Sequence, residues 1–458
     1  MAPLEVYIIT FNCARRLVDI DAFAAHFFLP YRQSNTFPDL IVLSLQEIAP
    51  FAQSFLGGSL LAKYISHFIA AVRTATSQQQ KYRHVFTRNV GLTGIILLAK
   101  PDAYSNIRWI ETAGVGVGFQ EMGNKGAVGV RIGYAPDGDE EEVPMTFVAA
   151  HLAAMEDAVQ RKNLDWKNIV IGLAFEPTTG FRHVSSSKDF SDSREGESDP
   201  LPSRSGNNSN SETSNAPKRL FVSGSPVFVA GDLNYRTSDT SPKPKVYLSF
   251  PQPTDDYSDP KHYSHLLASD QLGRERRLGN TLQYLAEAGV DFPPTYKYSS
   301  KQQKQMATTG SHESAEPPEW DWVRHRYPSW CDRILFSHYL SQDSTSFKVL
   351  KYTALPIQPT SDHRPVALAF QLDIQSVNSS RKTGSFDFKS IYPLNPRWKE
   401  QRVAARRKEV LFGILTYFCF TWEGGSMLLA LIIVSIGGWH VLKSLITSTV
   451  TILATFGC

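Results

Sequence analysis

The chain has 458 residues, 42% of them hydrophobic and 20% charged, which excludes a collagen-like or wholly disordered protein and allows a sizeable core. Its net charge of +3 is concentrated near one end. Residues 395–458 contain seven Lys/Arg and three Asp/Glu, which leaves 40 basic and 41 acidic residues in the first 394. This nearly neutral bulk lacks the basic surface of proteins that bind nucleic acids, so we expect no nucleic-acid partner.

The N-terminal apolar run of residues 6–9 is too short for the core of a signal peptide, and we interpret it as a first buried strand. Further apolar runs typical of strands buried on both faces occupy residues 40–45, 94–99, 146–150 and 226–230. Residues 55–73 and 157–173 have helical periodicity. Strands and helices that alternate in this way predict a layered α/β domain over residues 1–375.

Three polar segments interrupt or follow this pattern. Residues 176–218 contain 11 Ser among 43 residues and are predicted to be a disordered insert. Residues 301–319 are predicted to be a surface loop, and residues 376–409 a basic linker. The four cysteines fit neither a disulfide scaffold nor a zinc site, and so few in a long chain favour a reducing compartment.

The last 49 residues are apolar, with uncharged runs of 13, 19 and 15 residues that begin at Val410, Gly424 and Ser444. A helix of 19 residues is about 28 Å long, close to the ~30 Å hydrocarbon core of a bilayer. Basic residues cluster just before this tail, which places the bulk of the chain on the cytosolic side. We predict a membrane anchor over residues 410–458; the alternatives are a buried C-terminal helix, and a hairpin in place of a single span.

Polar side chains cluster at the ends of the predicted strands, where α/β sheets place their functional sites. They are Asn12, Glu47, His151, Asp232, Asn234, Asp332, Asp362 and His363. Carboxylate and amide oxygens without cysteine suit a hard cation such as Mg²⁺, and histidines beside carboxylates suit proton transfer or phosphate contact. Singly, residues of these types are more often a helix cap, a turn or a hydrogen-bonded core residue than part of a site. Together they predict metal-assisted hydrolysis of a phosphate ester.

The order of these clusters resembles that of the inositol polyphosphate 5-phosphatases, within the endonuclease/exonuclease/phosphatase superfamily. The two principal motifs occupy residues 229–236 and 326–335, and residues 123–128, 294–298 and 361–365 match as well. The resemblance runs from about residue 4 to 372 and implies a DNase-I-like, four-layered α/β sandwich. One departure is Val229, where the family usually has Trp; this affects local packing and leaves the polar residues intact.

The resemblance also implies roles for individual residues. Glu47 would be the main ligand of Mg²⁺, with Asn12 and Asp362 beside it. Asp232 would activate or orient the attacking water, helped by Asn234, and the identity of the general base stays open.

The remaining residues of the implied site would contact the substrate. His151 and His363 would contact the scissile phosphate, and Asp332 would hold His363 in one tautomer. Lys125 would meet another ring phosphate. The residues implied to grip the phosphate beside the scissile one are Tyr296, Lys297, Arg324 and Arg326.

We therefore predict a monomeric, Mg²⁺-dependent phosphoinositide 5-phosphatase, with phosphatidylinositol 4,5-bisphosphate as the expected substrate. The tail favours a lipid over soluble inositol phosphates, and tail-anchored proteins often reside in the endoplasmic reticulum. Two alternatives are a nuclease of the same superfamily and a non-catalytic tether that binds phosphoinositides.

Overall fold

The computed structural model describes residues 2–31, 36–77, 79–136, 141–178, 197–198, 217–308, 316–342, 345–382 and 392–455. Most of the Ser-rich insert predicted over residues 176–218 lies outside these ranges, as do residues 383–391 of the predicted linker. The disorder of the insert therefore stays a prediction.

In chain order the strands are β1 Leu4–Asn12, β2 Leu40–Gln46, β3 Arg83–Val90, β4 Thr93–Ala99, β5 Ile107–Gly116, β6 Gly126–Tyr134, β7 Val143–His151, β8 Glu176–Pro177, β9 Glu197–Ser198, β10 Val227–Asp232, β11 Leu285–Ala286, β12 Asp332–Ser337, β13 Phe347–Ala354 and β14 Val366–Leu372. The α-helices are α1 Ile20–Ala25, α2 Phe51–Leu56, α3 Ser59–Ala75, α4 Pro101–Ser105, α5 Val159–Gly172, α6 Ser264–Leu267, α7 Gln271–Arg277, α8 Ser300–Thr308, α9 Ile374–Lys382, α10 Trp398–Phe420 and α11 Trp422–Thr455. Short 3₁₀ helices occupy Leu29–Tyr31, Phe119–Glu121, Val246–Ser249 and His338–Gln342.

The strands form two sheets with the same central arrangement. The first sheet has the order β13-β14-β1-β2-β4-β3-β9, and the second has the order β11-β12-β10-β7-β6-β5-β8. In the first sheet β1 is parallel to β2 and antiparallel to β14, and in the second β10 is parallel to β7 and antiparallel to β12. The apolar runs predicted as strands form β1, β2, β4, β7 and β10.

The sheets pack face to face, and helices cover their outer faces. Phe228 of β10 lies between them, with its ring centroid 4.7 Å from that of Phe370 in β14 and 5.4 Å from that of Phe147 in β7. Helices α1 and α3 cover the first sheet, and α5 and α7 cover the second. Because both faces of the central strands are buried, these strands show no polar alternation. The predicted four-layered α/β sandwich is confirmed.

The structure differs from two of the predicted elements. The helix predicted over residues 55–73 is divided into α2 and α3 at Gly57 and Gly58, whose φ angles of 71° and 56° suit glycine. The loop predicted over residues 301–319 begins instead as helix α8. Polar residues dominate α8, so its sequence has no wide apolar stripe to indicate a helix.

Helix α10 passes through residue 410, where we predicted that the anchor begins. Its buried residues are Ala405, Arg406, Glu409, Gly413 and Thr416. The ring of Phe412 contacts those of Phe51 and Phe55 in α2, with 5.8 Å between centroids in each case. The first uncharged run of the tail therefore packs in part on the sandwich, because its small residues allow close contact with α2.

Helix α11 follows α10 after a single residue, Thr421, and its residues as far as Ile446 are largely exposed. Over Trp422–Ile446 its mean hydropathy reaches 1.9, and its most apolar window is not buried against the rest of the described chain. By length and composition this helix could cross a membrane.

The stacked rings of Phe147, Phe228 and Phe370 between the sheets should contribute strongly to the free energy of unfolding. We expect Phe228→Ala to lower the free energy of unfolding by about 3–5 kcal/mol, because the ring leaves a cavity between two rigid sheets. Urea denaturation of the detergent-solubilised chain, followed by fluorescence, measures this. The control is Phe119→Ala, at a side chain that is 69% exposed; equal losses in the two variants would contradict the proposed role of the stack.

Candidate active site

The register of the central strands brings the predicted polar residues to one end of the sandwich. At the end of β10, Asp232 pairs with His151 of β7 on one side and with Asp332 of β12 on the other. In the facing sheet, Asn12 ends β1, and Glu47 follows the last residue of the parallel strand β2. Because β1 and β10 face each other at the centre of the sandwich, their polar ends meet.

Of these residues, Asn12, Glu47 and Asp232 line a cavity of about 380 Å³. The predicted site residues that line it are Asn12, Glu47, Lys125, Asp232, Asn234, Tyr296, Lys297, Asp362 and His363. The other lining residues are Ala14, Arg15, Arg16, Ala154, Arg236, Tyr298, Ser300, Gln303 and Val323. The cavity therefore combines carboxylates with several basic side chains.

Asp232 is buried at the centre of this site. Its Oδ2 accepts a hydrogen bond from Asn12 Nδ2 at 2.9 Å, and its Oδ1 accepts one from the backbone N–H of Asn234 at 3.1 Å. Burial alone would raise the pKa of Asp232, but the hydrogen bond with His151 and the charges of His363 and the other neighbours lower it far below its usual range. The carboxylate is therefore held ionised inside the protein.

His363 is fixed by a buried hydrogen-bond chain. Its Nδ1 donates to Asp332 Oδ2 at 2.8 Å, and Thr295 Oγ1 donates to the same oxygen at 2.7 Å. Burial lowers the pKa of His363, but Asp332 outweighs this effect and raises the pKa to about 9. The bond at Nδ1 leaves Nε2 as the free ring nitrogen, on a side chain that lines the cavity.

His151 lies behind the cavity wall. Its Nε2 is 3.3 Å from Asp232 Oδ2 and in close contact with Lys125 Nζ. Burial, and then the charge of Lys125, lower the pKa of His151, so the ring is neutral. In this arrangement His151 supports Asp232 and Lys125, and it is not among the residues that line the cavity.

The predicted ligands of Mg²⁺, which are Glu47, Asn12 and Asp362, all line the cavity. Glu47 has a φ of 47°, a left-handed conformation that is costly for this residue type and is retained mainly at functional sites. Its carboxylate pairs with Arg15 at 3.1 Å, and that of Asp362 pairs with Lys297 at 2.7 Å. Both carboxylates are thus paired with positively charged side chains, and carboxylate oxygens are the ligands that a hard divalent cation prefers.

A second group of metal-ligand types includes Asp232, Asp332 and His363, whose ligand atoms lie within 4.8 Å of one another. The hydrogen bonds among Asp332, His363 and Thr295 account for this group without a metal. Asp332 is fully buried and is absent from the cavity lining.

The cavity includes basic residues that the sequence analysis did not select. Arg236 ends the first principal motif, and its guanidinium lies 4.2 Å above the ring of Tyr296. Arg15 and Arg16 lie three and four residues after the end of β1, and Arg16 Nη1 donates to Gln303 Oε1 at 3.1 Å. Their position just after a strand end was the signal that could have found them.

Two predicted substrate-binding residues lie away from this lining. The guanidinium of Arg324 stacks on the ring of Tyr247 at 4.6 Å, and Arg326 Nη1 pairs with Glu156 Oε2 at 2.6 Å. Neither is among the residues that line the cavity. Their contact with the substrate stays a prediction.

Comparison with known proteins agrees with this architecture. The type I inositol polyphosphate 5-phosphatase 13 of Arabidopsis thaliana is 27% identical over 71% of this chain and 26% of its own length. The phosphatidylinositol 4,5-bisphosphate 5-phosphatase INP51 of Saccharomyces cerevisiae is 23% identical over 83% of this chain and 32% of its own length. The chain thus spans about a quarter to a third of the length of these curated relatives.

Among solved structures, the inositol polyphosphate 5-phosphatase domain of SPsynaptojanin, in complex with inositol (1,4)-bisphosphate and calcium, has the same fold. It covers 89% of this chain and 92% of its own, with a TM-score of 0.54 and 20% identity. The family described as endonuclease/exonuclease/phosphatase family 2 matches residues 9–369. This match covers most of the chain, which therefore belongs to the endonuclease/exonuclease/phosphatase family.

Proposed function

We propose that the chain is a Mg²⁺-dependent phosphatase that removes the 5-phosphate of phosphatidylinositol 4,5-bisphosphate at a cytosol-facing membrane. The observation that carries this proposal is the composition of the cavity, where the buried carboxylate of Asp232 faces the basic side chains of Arg236 and Lys297. A cavity of this kind suits an anionic phosphate ester together with an attacking water.

Asp232 is the group best suited to orient the water or accept its proton. Its carboxylate is ionised and fixed by Asn12 and by the backbone of Asn234. His363, as an imidazolium, can donate from Nε2 to a phosphate oxygen and so offset the charge that develops in the transition state. Asp332 keeps the ring in place by accepting from Nδ1.

Glu47, Asn12 and Asp362 would hold Mg²⁺, which when bound would neutralise negative charge on the phosphate and on the leaving oxygen. The ion pair of Asp362 with Lys297 brings the predicted metal site next to a phosphate-binding cation. Lys125 is half-buried in the same region, where reduced contact with water lowers its pKa although Asp232 and Glu47 oppose this effect.

Two observations support a lipid substrate. The relative from Saccharomyces cerevisiae is named for phosphatidylinositol 4,5-bisphosphate. The exposed, apolar helix α11 is long enough to cross a bilayer and would keep the site near membrane lipids. We further propose the endoplasmic reticulum as its location and a monomer as its oligomeric state.

Loss of the Asp232 carboxylate should stop turnover. We expect Asp232→Asn to lower kcat by about 10²–10⁴-fold, because the amide cannot accept a proton from water. The assay is phosphate release from short-chain phosphatidylinositol 4,5-bisphosphate with Mg²⁺, and chelation by EDTA should abolish it. Asp102→Asn, at an exposed position in α4, is the control. Normal turnover by Asp232→Asn would rule out the proposed mechanism.

Lys297 should contribute to recognition of the phosphate beside the scissile one. We expect Lys297→Met to lower kcat/KM by about 10–100-fold for phosphatidylinositol 4,5-bisphosphate. This factor corresponds to the free energy of one hydrogen bond to a charged group. The loss should be smaller for phosphatidylinositol 5-phosphate, which lacks that group. Lys304→Met, on the exposed side of α8, is the control. Equal losses on both lipids would contradict this role.

Helix α11 should anchor the chain. We expect the double substitution Ile433→Arg and Val434→Arg to release the protein from membranes, because each charge at mid-span costs about 2.5–3.5 kcal/mol. Alkaline carbonate extraction followed by sedimentation measures this, with Ile433→Leu and Val434→Ile as the matched control. Retention of the arginine variant in the pellet would argue against a span.

A further inference from the structure

Helix α10 lies beyond residues 9–369, the part of the chain that matches the family, yet it is joined to the sandwich by buried charged groups. We propose that α10 is a positioning element of the active site, which acts through Glu409 and Arg406 on the loops that carry Lys125 and Glu47. This inference rests on the proposed function of those two residues.

Glu409 is fully buried, and four hydrogen-bonding or ionic contacts surround its carboxylate. Arg402 binds both carboxylate oxygens, at 2.7 and 2.9 Å, and Arg406 Nη1 lies 3.6 Å from Oε2. The remaining contact leaves the helix, because Oε1 accepts from the backbone N–H of Gly123 at 2.8 Å. Charge buried to this extent must be paired, and Arg402 and Arg406 provide that pairing within α10, while the hydrogen bond from Gly123 connects the carboxylate to the sandwich.

Gly123 belongs to the loop that ends at Lys125, and its backbone is connected to the loop of Glu47. The carbonyl of Gly123 accepts from Leu92 N–H at 2.9 Å, and the carbonyl of Leu92 accepts from Ile48 N–H at 3.2 Å. A Cβ atom at position 123 would lie 2.8 Å from backbone atoms of Val90 and Gly91, so the loop of Gly123 and the turn after β3 approach each other without side chains between them. Glu409 thus holds one end of a hydrogen-bond chain that ends beside Glu47.

Arg406 makes a second connection, at the C-terminal end of α2. Its guanidinium donates to the carbonyl oxygens of Phe55 and Leu56. Because α2 ends at Leu56, these two carbonyls have no N–H partner within the helix. Gly413 packs on the same residues, and a Cβ there would be 3.0 Å from Leu56 Cγ. Since α2 begins four residues after Glu47, this contact restrains the second loop.

The two restrained loops come from different sheets. Glu47 follows β2 of the first sheet, and Lys125 precedes β6 of the second. Helix α10 therefore contacts segments next to both loops, and a displacement of either loop would change the distance between Glu47 and Lys125 in the cavity lining. Displacements near 1 Å in such sites can cost about 10²-fold in rate.

The test uses the full chain in detergent, with short-chain phosphatidylinositol 4,5-bisphosphate and with soluble inositol 1,4,5-trisphosphate. We expect Glu409→Ala to lower kcat/KM at least about tenfold on both substrates. Glu409→Gln, which retains an acceptor for Gly123, should lose less. Glu400→Gln on the same helix is the matched control, because Glu400 is exposed and pairs with Arg397, three residues away on the chain, at 3.0 Å.

Hydrogen exchange supplies a readout that does not depend on turnover. We expect both Glu409 variants to exchange faster in residues 117–125 and 47–56 while the central strands keep their protection. Unchanged exchange in those loops together with unchanged kinetic constants would overturn the inference. Uniformly faster exchange in the isosteric Glu409→Gln variant would also overturn it, because it indicates a general effect on stability. An inactive wild-type chain would instead refute the proposed function, and the exchange comparison would still decide the role of Glu409.

Discussion

The carboxylate of Asp232 is 1% exposed, and a charge buried to that degree persists only where donors and positive groups surround it. Those groups come from both sheets: Asn12 from the first, His151 from the second, and His363 from the loop before β14. Their approach requires the facing strands β1 and β10 to end at the same level. The ionisation of Asp232 therefore depends on the register of the strands. A shift of β10 by one residue would point the carboxylate to the opposite face of its sheet, away from these groups.

Much of this organisation is predictable from sequence, because buried central strands are apolar runs and their polar ends are conspicuous. The strands that carry Asn12, His151 and Asp232 were predicted in this way, and the resemblance added the order of the motifs. Helix α8 was missed, because most of its residues are polar and Gln303 gives no signal of its own. The partners of Arg324 and Arg326 gave no signal in the sequence, because a motif gives position along the chain, whereas Tyr247 and Glu156 are distant from it in sequence.

The C-terminal region illustrates the limits of composition more clearly. Residues 398–420 look like a basic linker followed by the start of a membrane tail, but the structure makes them one helix whose buried side carries charge. From the sequence alone, Glu409 and Arg406 would be expected at the solvent-exposed surface. In the structure they are buried against the loop of Gly123 and against α2. Such backbone partners cannot be found from the sequence. Every residue has a carbonyl group, so the residue types at positions 55 and 56 do not reveal that these carbonyls bind Arg406.

The joint between α10 and α11 is a single extended residue, Thr421, with φ −108° and ψ 148°. A Cβ at Gly424 would lie 2.2 Å from the carbonyl oxygen of Tyr417. The backbones of α10 and α11 are therefore in close contact at the joint, which limits rotation of one helix relative to the other. One residue of extended chain adds only about 3.5 Å of reach. In the membrane-anchored form that we propose, the catalytic cavity would work at a nearly constant height above its own leaflet. Its rate would then follow the surface density of lipid in that leaflet, and lipids of an apposed membrane would stay out of range.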